Sequence, residues 1–311
     1  MDIPRALVIT GIAVVSYLMI QAWQQDYMSP QTTPVAQEQT RADDTAPAND
    51  SDPLPQPDSA EGTVPEPAGE QQAQAPAPDS QSGDSKQRIE VNTDVLSLEI
   101  DPLGGDIVRV ALPEYPRHAD TPDQPFVLLQ NDAGRTYVAQ SGLVGKNGTD
   151  TAEGRPTWQA GQDRYRLQDG EKELNVDLTL SQSGGVEIIK RYTFERGSYL
   201  VRVSHIVRNN SGEAWQGALY GQIKRDGSED PGKSTQGFIP MPTYLGAAYW
   251  SQDKPYNKLP FDDMQDEPLR LTQEGGWIAM LQHYFVSAWI PDAQGRYTYS
   301  TLHRENRNEY L

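Results

Sequence analysis

Only four histidines occur in the 311 residues, His118, His205, His283 and His303, and no two stand at a spacing that lets them share a metal ion. His205 lies in YLVRVSHIVR, on the strand face that also carries Val201, Val203 and Val207. That placement reads as a satisfied core histidine ahead of a catalytic base. His283, in LQHYF, has a cleft role as its sharper reading. Carboxylates gather in FDDMQDEPL (Asp262, Asp263, Asp266, Glu267) and in RDGSEDPG (Asp226, Glu229, Asp230). Neither run has the alternating oxygen ligands, central glycine turn and late acid of a calcium loop, so both read as solvated loops. Nothing singles out two of these acids as a glycosidase-type pair. The absence of cysteine excludes disulfides, thiolate metal sites and a cysteine nucleophile. No Walker loop, G-x-G-x-x-G or G-x-S-x-G is present. No catalytic, cofactor-binding or metal residue is therefore assigned, and the chain reads as a non-enzyme.

Aromatic side chains concentrate late in the chain, at Tyr244, Tyr249, Trp250, Tyr256, Trp277, Tyr284, Phe285 and Trp289. Most would be core or edge packing in a β protein. The sharper alternative is an exposed groove for sugar, peptide or partner, with Tyr249, Trp250, Tyr256, Trp277, His283, Tyr284 and Trp289 as its candidate lining.

The elements that must position these residues are strands. ELNVDLTLSQSGG alternates at Leu174, Val176, Leu178 and Leu180 and then turns at Gly184–Gly185. VEIIKRYTFERGSYLVRVSHIVRNNSG predicts two more strands, with turns near Arg196–Ser198 and Asn209–Gly212. VLSLEIDPLGGDIVRVAL reads strand, turn, strand. The glycine pairs 104–105, 184–185 and 275–276 supply positive φ to such turns. GGWIAMLQHYFVSAWIP fits a doubly buried strand pair or a short helix, and no amphipathic helix of three turns is visible. Residues 89–311 are thus expected to form one large antiparallel, all-β domain.

Two different segments precede it. Ala6 to Gln25 contains no charge, and Ala6 to Trp23 makes a helix of roughly 27 Å. That nearly matches a hydrocarbon core about 30 Å thick. The exit MIQAWQQDYM offers no small-x-small cleavage pattern, so residues 1–27 are expected to stay as a transmembrane signal anchor, held in the bilayer through residues 6–23. Arg5 precedes the span and the next basic residue is Arg41, which predicts a cytoplasmic N-terminus and an exported remainder. Residues 28–88 are rich in Pro, Ala, Gln and acids and cannot bury enough apolar area to offset chain entropy; they read as a disordered tether. The net charge of −18 divides equally between residues 26–88 and 89–311. It argues against nucleic acid as a partner.

Several stretches together carry a resemblance: EVNTDVLSLEIDPLGGDIVRVALPEYP, YVAQSGLVGKNGTD, KRYTFERGSYLVRVSHIVRNNSGEAW and GGWIAMLQHYFVSAWIP. They resemble the large periplasmic domain of the YidC family of bacterial membrane protein insertases. The opening MDIPRALVIT…QAWQQD is similar to that family's first transmembrane helix. The resemblance implies a β-supersandwich like that of galactose mutarotases, in a Gram-negative inner membrane. It implies the SecYEG translocon, SecDF and nascent membrane proteins as partners. It also implies that insertion belongs to a five-helix bundle with a groove arginine, and that the bundle and the domain's last strands lie beyond RENRNEYL, leaving 89–311 truncated at its C-terminus. The same fold leaves a second reading open. A membrane-tethered carbohydrate-binding or aldose-epimerase-like domain would use His205 or His283 with a glutamate on opposite sides of a sugar ring.

Overall fold

The computed structural model describes residues 88–311 apart from 119, 229–243, 283 and 306–307. The expected anchor and all but the last residue of the tether lie outside these residues. Among the described residues no helix is long and apolar enough to cross a membrane.

The described chain is almost entirely β-strand. The N-terminal strands are β1 (Ile89–Asn92), β2 (Ser97–Asp101), β3 (Asp106–Pro116), β4 (Pro125–Asp132) and β5 (Arg135–Val144). Two short strands follow, β6 (Gln159–Ala160) and β7 (Arg164–Arg166), then β8 (Glu173–Gln182), β9 (Val186–Glu195), β10 (Val201–Asn209) and β11 (Ala218–Asp226). The last third holds β12 (Gly246–Tyr249), β13 (Asn257–Pro260), helix α1 (Phe261–Asp266), β14 (Arg270–Glu274), β15 (Ile278–Leu281), β16 (Val286–Trp289), β17 (Arg296–Ser300), β18 (His303–Arg304) and β19 (Glu309–Tyr310).

A nine-stranded sheet runs β18-β19-β11-β5-β4-β3-β2-β1-β7. The order β10-β9-β8-β6 makes a second sheet, β13-β12-β15-β16 a third, and β14 pairs with β17 alone. Every pairing is antiparallel except β1 with β7. One hydrophobic core joins the sheets. Val91, Leu98, Ile100 and Ile107 come from the large sheet, Val176, Leu178, Ile188, Tyr192 and Phe194 from the second, and Ala247 and Met280 from the third. The alternation in β8 puts Val176 and Leu178 in this core, as period two requires. Val201, Val203 and Val207 of β10 pack against it from its edge. The three glycine pairs all take positive φ, from 56° at Gly275 to 98° at Gly276.

Two expectations are corrected. FDDMQD is the helix α1 and not a loop, because Phe261 and Met264, three residues apart, both find buried sites. Asp262 and Asp263 sit in its first turn, where the helix dipole favours carboxylates, and remain exposed. GGWIAMLQHYFVSAWIP forms a strand pair, but only β15 is buried; β16 alternates exposed and half-buried.

Candidate functional site

The largest concentration of buried polar chemistry lies between β9 and the β2–β3 hairpin, where sequence reasoning did not look. Ile188, Lys190, Tyr192 and Phe194 share one face of β9, and all four are buried. Lys190 is fully buried, and its Nζ donates to the carbonyls of Gly104 (3.0 Å) and Ser141 (2.7 Å). Arg155 donates to the same two carbonyls, at 3.3 and 2.9 Å, and pairs with the carboxylates of Asp106 and Asp150. Asp150 also accepts from Tyr220 Oη (3.0 Å), Thr149 Oγ1 (2.8 Å) and the Leu143 N–H (3.2 Å). Asp106 accepts from Gln140 Nε2 at 2.8 Å, and Tyr192 Oη donates to the Gly105 carbonyl. Two cations and two carboxylates therefore sit in one water-poor volume, tied by four bonds to the carbonyls of a single turn and one strand.

Burial dominates the electrostatics. It pulls Lys190 down to about 7, against the attraction of Asp106. It works against the Arg155 charge too, but Asp106, Tyr220 and Asp150 together hold that guanidinium above its usual range. Burial pushes the Tyr192 and Tyr220 hydroxyls up. His205 stands opposite Lys190 in the β9–β10 register, edge-on to Trp158 with ring centroids 6.2 Å apart. Burial and then the Lys190 charge lower it to about 3, so its imidazole is neutral near pH 7. The expectation of a satisfied core histidine needs correction, because both ring nitrogens are buried without a hydrogen-bond partner among the described residues. The arrangement clamps the hairpin turn onto the second sheet. One signal for it was legible: a lysine on the otherwise apolar face of VEIIKRYTF.

The aromatic candidates divide. Tyr249 ends β12, paired with Asn257 and Ile278. The Trp250 N–H donates to the Trp277 carbonyl at 3.0 Å, and Gln273 Nε2 donates to the Trp250 carbonyl at 2.7 Å. The Tyr256 and Trp277 rings lie 6.2 Å apart at 41°. These four form one aromatic corner, of which Tyr256 is exposed and the other three half-buried. Trp289 lies in the same cross-strand row as Tyr249, with Ile278 between them, and packs on Gly221 of β11 so closely that a Cβ there would come within 2.8 Å of its ring. Tyr284, 83% exposed, sits between β15 and β16, and His283 lies outside the described residues. Asp226 is not a purely solvated acid: its carboxylate accepts from the Thr136 N–H (2.6 Å) and from Ser228.

An all-β domain whose buried charges fasten strands together, with its aromatic rings mostly packed, is the class of protein defined by these features. A model of the YidC periplasmic domain matches residues 88–311, and the chain belongs to that family. It is 61% identical over 316 residues to the membrane protein insertase YidC of Alcanivorax borkumensis, covering 100% of this chain and 54% of that protein. The insertase of Stutzerimonas stutzeri is 48% identical over 294 residues (94% of this chain, 51% of that protein), and that of Pseudomonas aeruginosa 43% over 318 (94% and 52%). The chain spans about half the length of the curated relatives it matches.

Proposed function

We propose that this chain is the anchor and periplasmic portion of an insertase that inserts and folds inner-membrane proteins, alone or with the SecYEG translocon and SecDF. The family match over 88–311, with relatives named as insertases, carries the reading. In it, residues 1–27 are a signal anchor with a cytoplasmic N-terminus, residues 28–88 a tether, and residues 89–311 a non-enzymatic β-supersandwich in the periplasm of a Gram-negative cell. The physical problem solved is the cost of moving polar groups through hydrocarbon, several kcal/mol for each unsatisfied group. The portion at hand would supply anchoring, topology and a periplasmic surface. The surroundings of His205 support this over a sugar-epimerase use of that residue, because burial and the Lys190 charge outweigh the attraction of Asp150 and hold its imidazole far below the range of a working general base.

The test is insertion by the full-length protein reconstituted into proteoliposomes. A single-span client should become protected from added protease in proportion to the protein present. Protection no higher than in protein-free liposomes would overturn the reading.

A further inference from the structure

The charges buried around Lys190 balance. Lys190 and Arg155 supply two positive charges, and Asp106 and Asp150 two negative ones. His205 adjoins them as a further titratable side chain. It is the direct partner of Lys190 in the β9–β10 register, so the two side chains leave the same face. Of the charged groups that face it, Lys190 on β9 repels an imidazolium, and Asp150 on the β5–β6 connection attracts one. Asp150 already accepts from Arg155, Tyr220, Thr149 and the Leu143 N–H. Asp106 is likewise engaged, by Arg155 and Gln140. The charges of β10 itself, Arg202 and Arg208, lie on the other face and pair with Glu195 and Glu187. Trp158, edge-on to the His205 ring, offers no acceptor. Both imidazole nitrogens are buried without a partner among the described residues, so an imidazolium would hold two donors with nothing to receive them.

A third positive charge in this volume has no counter-charge, and an ion without one is among the costliest groups to bury. Something must yield when His205 takes a proton, and the burial pattern says what. No residue of β10 is fully buried. Most of β9 is, and so are Val176 and Leu178 of β8. A strand with little buried apolar area opens at lower free energy than the core beside it. Opening β10 carries His205 to water and leaves the balanced four charges in place.

We propose that His205 is an acid-triggered latch: when it takes up a proton, β10 detaches from β9 while the rest of the domain stays folded. The imidazole is held at about 3 in the closed strand and returns to the ordinary 6.5 in an open one. Opening is therefore favoured as pH falls between those values, and by linkage its equilibrium constant rises on the order of 100-fold from pH 7.5 to pH 4.5. Backbone hydrogen exchange of the full-length protein in proteoliposomes tests this, with protection taken relative to unstructured peptide at the same pH and β8 as the internal reference. Between pH 7.5 and 4.5 the protection of residues 201–209 should fall roughly 30- to 100-fold, and that of residues 173–182 less than about threefold. His205→Phe should make the β10 loss at least fivefold smaller, and His205→Gln replaces it if that variant unfolds. Lys190→Met leaves one cation with two carboxylates, so an imidazolium there restores the balance. Its β10 loss should also be at least fivefold smaller than the parent's, which a merely structural role for His205 would not produce. Unchanged protection of β10 in the parent would overturn the proposal. So would a loss shared equally by β8, or a loss as large in the His205 or Lys190 variants as in the parent.

Discussion

Lys190 shows how one residue can matter through its proton. Its ammonium is buried beside Arg155, so the folded protein releases the proton near pH 7, while an unfolded chain holds it to about 10.5. Between those values the unfolded state binds more protons, and stability rises with pH, at up to about 1.4 kcal/mol per unit. Lys190→Met removes this dependence. The parent is expected to gain in urea midpoint from pH 7 to pH 9 relative to the variant, and equal gains in both would contradict the buried, titrating amine. His205 acts in the acid range with the same sign. Its folded value of about 3 lies below the ordinary 6.5, so stability is lost as pH falls through that window. The lysine was open to view in the sequence, as a charge on an apolar face. Its partners were not, because Gly104, Ser141 and Arg155 are 86, 49 and 35 positions away and meet it only through sheet packing.

At the scale of elements, period two and glycine turns carried most of the fold, and two contrasts test how. In β10, Val203 packs on the core while Arg202 points outward to Glu195 at 3.3 Å. Val203→Asp places a charge against apolar neighbours and is expected to lower the melting temperature by roughly 5–10 °C. Arg202→Asp should change it by about 2 °C or less, because an exposed pair contributes little. Similar losses from both would mean that the strand face is misassigned. The hairpin turn gives the second contrast. Gly105 has φ +62°, and a Cβ there would lie 3.0 Å from Leu178 and 3.2 Å from both Lys190 and Trp158. Gly184 has φ +82° with only Ser211 near, at 3.9 Å. Alanine at either position meets the left-handed penalty of about 1–2 kcal/mol. Gly105→Ala adds overpacking of about 1–3 kcal/mol, so it should unfold at clearly lower urea than Gly184→Ala. Equal midpoints would remove the clamp as an explanation for the turn. Helix α1 escaped the sequence reading because a six-residue run, half of it acids, is too short for a periodicity to show; Phe261 and Met264 become a helical pair only once the core receives them. The division of the aromatics was equally invisible, since spacing along the chain does not tell Trp289, packed on Gly221 of β11, from Trp250, bonded through its backbone to Trp277 and Gln273.

For the whole molecule, the decisive question is which side of a membrane the acidic bulk occupies. Residues 26–88 and 89–311 each carry −9, and the only basic side chain before the apolar run is Arg5. Acidic residues bear weakly on orientation, whereas a lysine or arginine within the short flank of a span bears strongly. The proposed topology thus leans on one side chain and the terminal amine. Arg5→Glu removes the bias without touching the span, and a several-fold larger fraction of chains should insert with the domain facing the cytoplasm. The absence of cysteine makes this measurable: Ser29→Cys adds one thiol just past the span, and a membrane-impermeant maleimide reads its side in intact cells against inverted vesicles. In the Arg5 parent the thiol should label from outside the cell, and in the Glu variant a substantial share should label only after inversion. Labelling from outside at the same extent in both would show that orientation is set by the translocated domain itself. Labelling of the parent only from the cytoplasmic side would overturn the periplasmic placement of the domain.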